Sequence, residues 1–354
     1  MRVAIDGQAL MGNLTGAGKA LKLLLQELRE SYPDYEFVVL SPKDRSGWRL
    51  PRQLIWDQAE VPVAALRRRA YLLHTTSHSA PILWPKRLVM TVHDLAPTRF
   101  PHLLPTWRSR WYWGSWISFT TKWADAVIVP SNSTKDDLIE LCRIPEEKIH
   151  VVPWGVTVNH LEEAEGETAD ILRRRYSLQR PYLLYVGTID RRKDYSTLLH
   201  ALLQIDRQID LVLAGSIIEG RTDFNHLVSC LGLNKRVRVL GYVHEGDLAE
   251  LYRRAEVFIY PSFYEGFGLP VLESMAHGTP VIAYNTTSLP EVVGEAGILL
   301  TAPWTPDKLA GEIIRVLEDR TLKDELIKRG TERARYFDWT ETARLTMEVY
   351  KSLI

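Results

Sequence analysis

Seven residues separate two carboxylates in the segment Glu265-Gly-Phe-Gly-Leu-Pro-Val-Leu-Glu273. The segment follows an apolar run, Val257–Tyr260, and a Pro261-Ser262 turn, and it leads into a helical pattern. It therefore stands at the C-terminal end of a strand, where open α/β sheets bind ligands. Gly266 and Gly268 let the backbone approach a bound group, and the N-terminus of the helix that follows suits a phosphate. Carboxylates suit hydroxyls and amides suit phosphate, so the ligand implied is polyhydroxylated and carries a diphosphate. A plain strand-turn-helix with incidental glutamates is the competing reading of this segment alone.

A second concentration of charge follows the strand ending at Val186, in Asp190-Arg191-Arg192-Lys193-Asp194. Three consecutive cations at a strand-to-helix turn can clamp a diphosphate, Arg through its planar fork and Lys as a point charge. An isolated basic turn is ordinarily just solvated; sharing a sheet edge with Glu265 and Glu273 favours a site. In the first half, Thr15-Gly16-Ala17-Gly18-Lys19 could set backbone amides against a phosphate. It lacks the third glycine of a dinucleotide fingerprint, and a flexible loop before a helix at Lys19–Glu30 is an equal reading. Val92-His93-Asp94 ends another strand, with His93 expected to face a cleft. Neighbours on an extended chain point to opposite faces, which argues against a His93–Asp94 relay and leaves one of them to anchor the loop. His74 and His78 lack the glutamate of a helical zinc motif and read as ordinary loop residues. The chain has no Asp-x-Asp, so no metal site on a nucleotide diphosphate is expected.

Between Trp107 and Trp123 lie five tryptophans together with Arg108, Arg110 and Lys122. Tyr112, Trp116, Phe119 and Trp123 fall at helical spacing and read as one buried face, with Trp107 and Trp111 on another flank beside the arginines. Core packing is the favoured reading; an acceptor groove or a lipid-interface contact is the alternative.

These residues need scaffolds. Short β-branched runs alternate with helical stretches, the pattern of parallel sheets wrapped by helices. Strands are expected at Val3–Asp6, Phe37–Leu40, Tyr71–His74, Leu88–Val92, Ala126–Val129 and His150–Val152. A second set is expected at Tyr182–Val186, Leu211–Ala214, Val237–Leu240, Val257–Tyr260, Val281–Ala283 and Ile298–Leu300. Ala124–Ser131 aligns without a gap on Ala255–Ser262, which suits two similar doubly wound domains, although buried parallel strands resemble one another in any case. The acidic, glycine-interrupted stretch 159–170 reads as the connection. The expected division is a first domain over 1–158, a linker over 159–178 and a second domain over 179–336, with the ligand in the cleft between strand C-termini.

At 354 residues, two domains are the ordinary outcome. Lys plus Arg balance Asp plus Glu at 44 each, so no global field favours nucleic acid or an anionic membrane. Cys142 and Cys230 make neither a disulfide framework nor a zinc spacing. The opening Met-Arg-Val-Ala-Ile-Asp lacks the apolar core of a signal peptide, and no run reaches the ~18 apolar residues of a membrane span. The expectation is a cytoplasmic protein, with peripheral contact to the inner face of a membrane left open.

Taken together, the motifs resemble the retaining nucleotide-sugar glycosyltransferases of the GT-B fold, family four (group 1), over essentially the whole chain. The matching series is Thr15–Gly18, Val92-His-Asp-Leu95, Val129-Pro-Ser131, Tyr185-Val-Gly-Thr188 with Arg192-Lys193, Gly241-Tyr-Val243, and Glu265–Glu273 followed by Gly278-Thr-Pro-Val281. Val92–Leu95 and Ser288-Leu-Pro-Glu291 are most similar to bacterial O-antigen and capsule mannosyl- or rhamnosyltransferases. The resemblance implies an α/β protein of two doubly wound Rossmann-like domains facing across a cleft, with a final helix over 337–354 crossing back to the first. It implies transfer of a sugar from GDP-mannose or a UDP- or dTDP-sugar to a glycan or lipid-linked acceptor, with no cofactor and no metal.

By the same resemblance, Arg192 and Lys193 would hold the diphosphate, Glu273 the ribose and Glu265 the sugar hydroxyls. The amides of Phe267, Gly268 and Leu269 would meet sugar and phosphate, and Val243 would meet the base through its backbone. Gly16 and Gly18 would serve donor binding and His93 would lie by the donor sugar; apart from the resemblance, Trp107 and Trp111, one helical turn apart beside Arg108 and Arg110, are the candidates for touching an acceptor sugar ring or lipid headgroup. Lys19 and Asp194 depart from the family's usual Arg and Asn. A sugar-nucleotide epimerase, an inverting transferase and a non-catalytic nucleotide-sugar-binding protein are the rival readings.

Overall fold

The computed structural model describes all residues except 13–14, 43–49, 77–78, 105, 158–173, 206–207 and 219–222. The stretch 159–170 and His78 thus lie outside the described residues. The chain divides into two compact units, Met1–Gly155 with Phe337–Ile354, and Val156–Tyr336. In the first, β1 (Arg2–Asp6), β2 (Glu36–Leu40), β3 (Leu72–Thr75), β4 (Arg87–Thr91), β5 (Ala126–Val129) and β6 (Ile149–Val151) form a parallel sheet in the order β2-β1-β3-β4-β5-β6. In the second, β7 (Tyr182–Val186), β8 (Asp210–Ala214), β9 (Val237–Gly241), β10 (Val257–Tyr260), β11 (Val281–Tyr284) and β12 (Ile298–Leu300) form another in the order β12-β11-β10-β7-β8-β9. Both are Rossmann-like, and every strand lies within one residue of its expected ends.

The longer helices are α1 (Gly16–Ser31), α2 (Asn132–Cys142), α3 (Tyr195–Gln204), α4 (Glu245–Arg254), α5 (Leu269–Ala276), α6 (Pro306–Glu318), α7 (Arg320–Ala334) and α8 (Trp339–Ser352). Strand order reverses between β1 and β3 in one sheet and between β7 and β10 in the other. At such reversals adjacent loops diverge to opposite faces and leave a crevice at the strand C-termini. The Ala124–Ser131 echo does not mark equivalent strands: β5 is second from the edge of its sheet and β10 third. What the two share is complete burial, which selects the same residue types.

The first sheet is apolar on both faces because its strands alternate. Val3 and Ile5 enter a core with Leu21 and Leu25 of α1 and Met347 and Tyr350 of α8, while Ala4 enters one with Trp56, Tyr112 and Leu138. Helix α8 is held by polar contacts too. Thr342 donates to the Pro153 carbonyl at 2.8 Å, and Tyr350 Oη lies 2.7 Å from His74 Nδ1. His74 Nε2 lies 2.7 Å from Thr91 Oγ1. His74 is therefore no loop residue but a buried strand residue, and burial lowers its pKa to about 3.

The tryptophan-rich stretch departs furthest from expectation. It is helical over 107–121, but residues Trp111–Trp116 form a π turn. A π turn inserts residues into the helical repeat and rotates every later side chain. The buried positions become Tyr112, Ile117, Thr120 and Thr121 in place of Tyr112, Trp116, Phe119 and Trp123. Trp116 is partly buried against the core but Phe119 and Trp123 are exposed, so only the first half of the expected face forms.

The buried side is pinned by Asp57. Its carboxylate accepts from Tyr112 Oη at 3.0 Å and from Gln53 Nε2 at 2.9 Å, beside Asp6, which accepts from Trp56 Nε1 at 3.2 Å. Burial, and then the neighbouring Asp6 charge, raise the Asp57 pKa from the ordinary 3.8 to about 7, against the opposing pull of its hydrogen bonds.

The folded protein thus retains a proton at Asp57 that the unfolded chain releases above about pH 4, and stability falls as pH rises from there to about 7. Asp57→Asn should gain nothing at pH 4 and stabilise by on the order of 2 kcal/mol or more at pH 8, read as a rise in Tm. A stability difference independent of pH would show that Asp57 is ionised in the fold.

Candidate active site

The second unit gathers its charged residues at the β7/β10 reversal. Arg191–Lys193 form one 3₁₀ turn, and three residues per turn send three side chains in three directions. Arg191 is exposed. Arg192 is partly buried, with Nη2 3.3 Å from Asp190 and Nη1 donating to the Tyr264 carbonyl at 3.3 Å. Lys193 is buried, ion-paired with Glu265, and donates to Tyr260 Oη at 3.0 Å. The three cations therefore do not form one clamp; two are already matched by carboxylates.

The loops that carry these groups are stitched together. Phe263 N–H donates to the Arg192 carbonyl at 2.9 Å. Thr287 Oγ1 accepts the Glu265 N–H at 3.0 Å, and Ser288 Oγ donates to the Glu265 and Phe267 carbonyls at 3.0 and 2.9 Å. Asp194, at φ +34°, caps α3 by accepting from Thr197 N–H at 3.2 Å and also accepts from Tyr284 Oη at 2.7 Å. Its carboxylate thus has a structural task.

Gly268, at φ +102°, opens α5, and a Cβ there would lie 2.8 Å from Leu289 Cδ2. The backbone of Phe267, Gly268 and Leu269 consequently sits at a helix N-terminus, the positive end of its dipole. Glu273, one turn further into α5, is buried and accepts from Tyr252 Oη at 3.0 Å. Burial raises the phenol pKa values of Tyr252 and Tyr260 well above the ordinary 10, so both remain protonated donors. On the other side of β7, a Cβ at Gly215 would lie 2.0 Å from the Gly187 carbonyl oxygen. Gly215 N–H donates to the Gly241 carbonyl at 2.8 Å, which draws together the ends of β7, β8 and β9 and leads to buried Val243.

In the first unit, His93 Nε2 lies 2.9 Å from the Thr76 carbonyl. A carbonyl only accepts, so Nε2 carries the proton and, in the neutral ring, Nδ1 is the acceptor. The ring meets Trp154 edge-on at 5.3 Å, and Thr76 Oγ1 donates to the Asp6 carbonyl at 2.8 Å across the β1/β3 reversal. Asp94 is the loop anchor, accepting from Ala96 N–H at 2.8 Å. A cavity of about 30 Å³ lies beside His93 and His74, room for about one water. Gly16 and Gly18 belong to the first turn of α1, not to a flexible loop: Thr15 Oγ1 caps the helix by accepting from Gly18 N–H at 3.4 Å, three residues before the expected start. Trp107 and Trp111 are exposed on the aromatic helix.

The geometry brings Arg192, Lys193 and Glu265 into one cluster and sets Phe267, Gly268, Leu269 and Glu273 along the adjoining helix. Tyr252, Tyr260, Thr287 and Ser288 were not legible as site residues, except that Ser288 opens a quoted motif. Tyrosines ending or flanking apolar runs look like core until their hydroxyls are seen against the carboxylates. Among the described residues, no group of three or more His, Cys, Asp or Glu could hold a metal.

Comparison with known proteins places this geometry. The family model described as Glycosyl transferases group 1 matches residues 170–333, and Glycosyltransferase Family 4 matches 14–160. The O-antigen chain mannosyltransferase B of Escherichia coli is 33% identical over 272 residues, 76% of this chain and 71% of that one. Among solved structures, sucrose-phosphate synthase from Thermosynechococcus elongatus superposes with a TM-score of 0.78 at 24% identity, covering 100% of this chain and 99% of the other. Anabaena HepE in complex with UDP-glucose gives 0.78 at 19% identity, covering 100% of both chains.

Because Lys193 and Glu265 are buried together, removing either alone strands a charge. Lys193→Met and Glu265→Gln should each destabilise the second unit by about 3 kcal/mol, and the double variant by much less than their sum. Additive losses in denaturant midpoints would show that the pair is not coupled.

Proposed function

The chain belongs to the group 1 glycosyltransferases, and on that premise we propose a retaining enzyme that moves a sugar from a nucleotide-sugar to a glycan or lipid-linked acceptor during polysaccharide synthesis. GDP-mannose is the first donor to test, ahead of UDP- and dTDP-sugars, because the Escherichia coli relative is a mannosyltransferase acting on an O-antigen chain. The observation that carries the reading is the cluster of Arg192, Lys193 and Glu265 at the β7/β10 reversal, beside a helix N-terminus. Cations and amides suit a diphosphate; carboxylates suit sugar and ribose hydroxyls.

In this reading Arg192 and Lys193 hold the diphosphate and offset its growing charge as the anomeric C–O bond breaks. Glu265 orients Lys193 and the sugar hydroxyls, and Glu273 takes the ribose. The amides of Phe267, Gly268 and Leu269 meet sugar and phosphate, and the Val243 backbone meets the base. Gly16 and Gly18 contribute backbone to donor binding, and His93 accepts a sugar hydroxyl at Nδ1. The acceptor oxygen bonds to the anomeric carbon on the face the phosphate leaves, and its proton passes to the departing phosphate oxygen. Both cations are matched by carboxylates, but Arg192 meets Asp190 at 3.3 Å and is only partly buried, whereas Lys193 is buried against Glu265, so Arg192 bears the larger share of leaving-group stabilisation.

Incubation with GDP-mannose and an oligosaccharide acceptor in EDTA should give a product of the donor's anomeric configuration by NMR. Arg192→Ala should lower kcat by roughly 10²-fold or more, and Lys193→Ala by less. Inverted product, or activity recovered only on adding Mg²⁺ or Mn²⁺, would overturn the retaining, metal-independent reading.

Glu273→Ala should weaken nucleoside diphosphate binding by about 2 kcal/mol, with Glu273→Gln intermediate, while His93→Ala leaves that affinity unchanged and slows transfer. Titration calorimetry separates the two roles. Equal losses of nucleotide affinity would refute the division of labour.

A further inference from the structure

A ladder of buried rings spans the second unit around β10. Tyr185 stacks on Tyr260 with centroids 5.9 Å apart, Tyr260 stacks on Phe258 at 5.7 Å, and Phe258 meets Tyr252 of α4 edge-on at 5.6 Å. Tyr252 in turn stacks on His277, just after α5, at 5.6 Å and 20°. Tyr185, Tyr252, Phe258 and Tyr260 are each 2% exposed or less. Rings packed this closely keep one rotamer, so the hydroxyls at their tips are held in place. Two of those tips reach charged residues of the site. Tyr260 Oη accepts from Lys193 at 3.0 Å, and Tyr252 Oη donates to Glu273 Oε2 at 3.0 Å.

Phe would fill the Tyr252 position equally well, and a buried hydroxyl is unfavourable unless it is hydrogen-bonded. The hydroxyl is therefore accounted for by Glu273. Two further polar contacts converge on the same residues: Thr279 Oγ1 donates to the Tyr252 carbonyl, and His277 Nδ1 lies 2.8 Å from the Glu273 carbonyl. A carbonyl only accepts, so Nδ1 carries the proton. Glu273 is thereby held at its backbone by His277 and at its carboxylate by Tyr252, whose ring stacks on the same imidazole. A glutamate on an open helix face samples several rotamers. This one has its carboxylate oriented before a ligand arrives, and the entropy of fixing it is lost on folding, not on binding.

We propose, on the reading of Glu273 as the ribose ligand, that Tyr252 is a positioning residue that makes the site select ribose over deoxyribose. Two neighbouring ribose hydroxyls each need an acceptor, and one carboxylate serves both only while its plane is fixed. A carboxylate able to turn follows whichever hydroxyl remains. With Oε2 fixed by Tyr252, Glu273 loses a hydrogen bond when the 2′-hydroxyl is missing and does not turn to recover it.

The test is titration calorimetry of the full chain with GDP and deoxy-GDP, and with UDP and deoxy-UDP, alongside Tm. In the better-bound pair the wild type should prefer the ribonucleotide by about 10-fold or more, as expected for one hydrogen bond to a charged group. Tyr252→Phe should cut that ratio to about 3-fold or less, mainly by weakening the ribonucleotide. His277→Ala, which leaves the hydroxyl but removes the ring stacked on it, should lower the ratio in the same direction. A lower Tm with the ratio intact in Tyr252→Phe would make the hydroxyl structural only and overturn the proposal. Should that variant not fold, an intact ratio in His277→Ala overturns it instead. If wild type and Glu273→Ala both bind ribo- and deoxynucleotides alike, Glu273 is not the ribose ligand and the proposal falls with that reading. A ratio lost in Glu273→Ala but kept in Tyr252→Phe refutes the role of Tyr252 alone.

Discussion

The candidate site depends on keeping a lysine and a glutamate buried against each other. Each loses hydration on entering the second unit, and that loss is offset only if the partner stays in contact. Lys193 comes from the loop after β7 and Glu265 from the loop after β10, so the pair also staples together the two loops that part at the sheet reversal. Asp190 and Arg192 repeat the arrangement one step outward. Two cations and two carboxylates leave the empty cluster neutral, which limits the cost of burying it. The N-terminus of α5 adds positive potential beside that cluster.

The sheets were legible because burial writes itself into sequence twice. Parallel strands covered on both faces become unbroken β-branched runs, and their ends are marked by Gly, Pro and Ser. Glu265–Glu273 and Arg192-Lys193 could be placed on one edge for the same reason: once β7 and β10 were located, the loops after them had to share the C-terminal side. Contacts that close long loops were not legible. The hydrogen bond between His74 and Tyr350 joins residues 276 apart, and nothing near His74 announces it. Tyr252 against Glu273 is of the same kind. The start of α1 was misjudged because two glycines argue against helix, whereas the Thr15 cap and the tolerance of a first turn for glycine outweigh them.

The aromatic helix shows where periodicity itself misleads. A 3.6-residue repeat carried through Trp111–Trp116 puts Phe119 and Trp123 in the core, whereas both are exposed. Buried Tyr112 and Ile117 lie five apart across the π turn, and Thr120 and Thr121 follow one turn later. The irregularity has a local cause. Tyr112 must reach the Asp57 carboxylate, and Ile117 must reach the core under β4 and β5.

That anchoring links stability to surface chemistry in the first unit. A carboxyl whose pKa is raised by burial anchors one side of the helix through Tyr112, and that side determines which rings face water on the other. Balanced totals of acids and bases conceal this arrangement: charges in the candidate site are paired within a few ångströms, whereas those along 101–124 have a single sign over 24 residues. Paired charges in a buried cluster hold geometry and act at short range, while unpaired surface cations act over roughly a Debye length, about 8 Å at physiological salt. One chain of zero net charge thereby carries both a neutral, buried cluster and a cationic, aromatic flank.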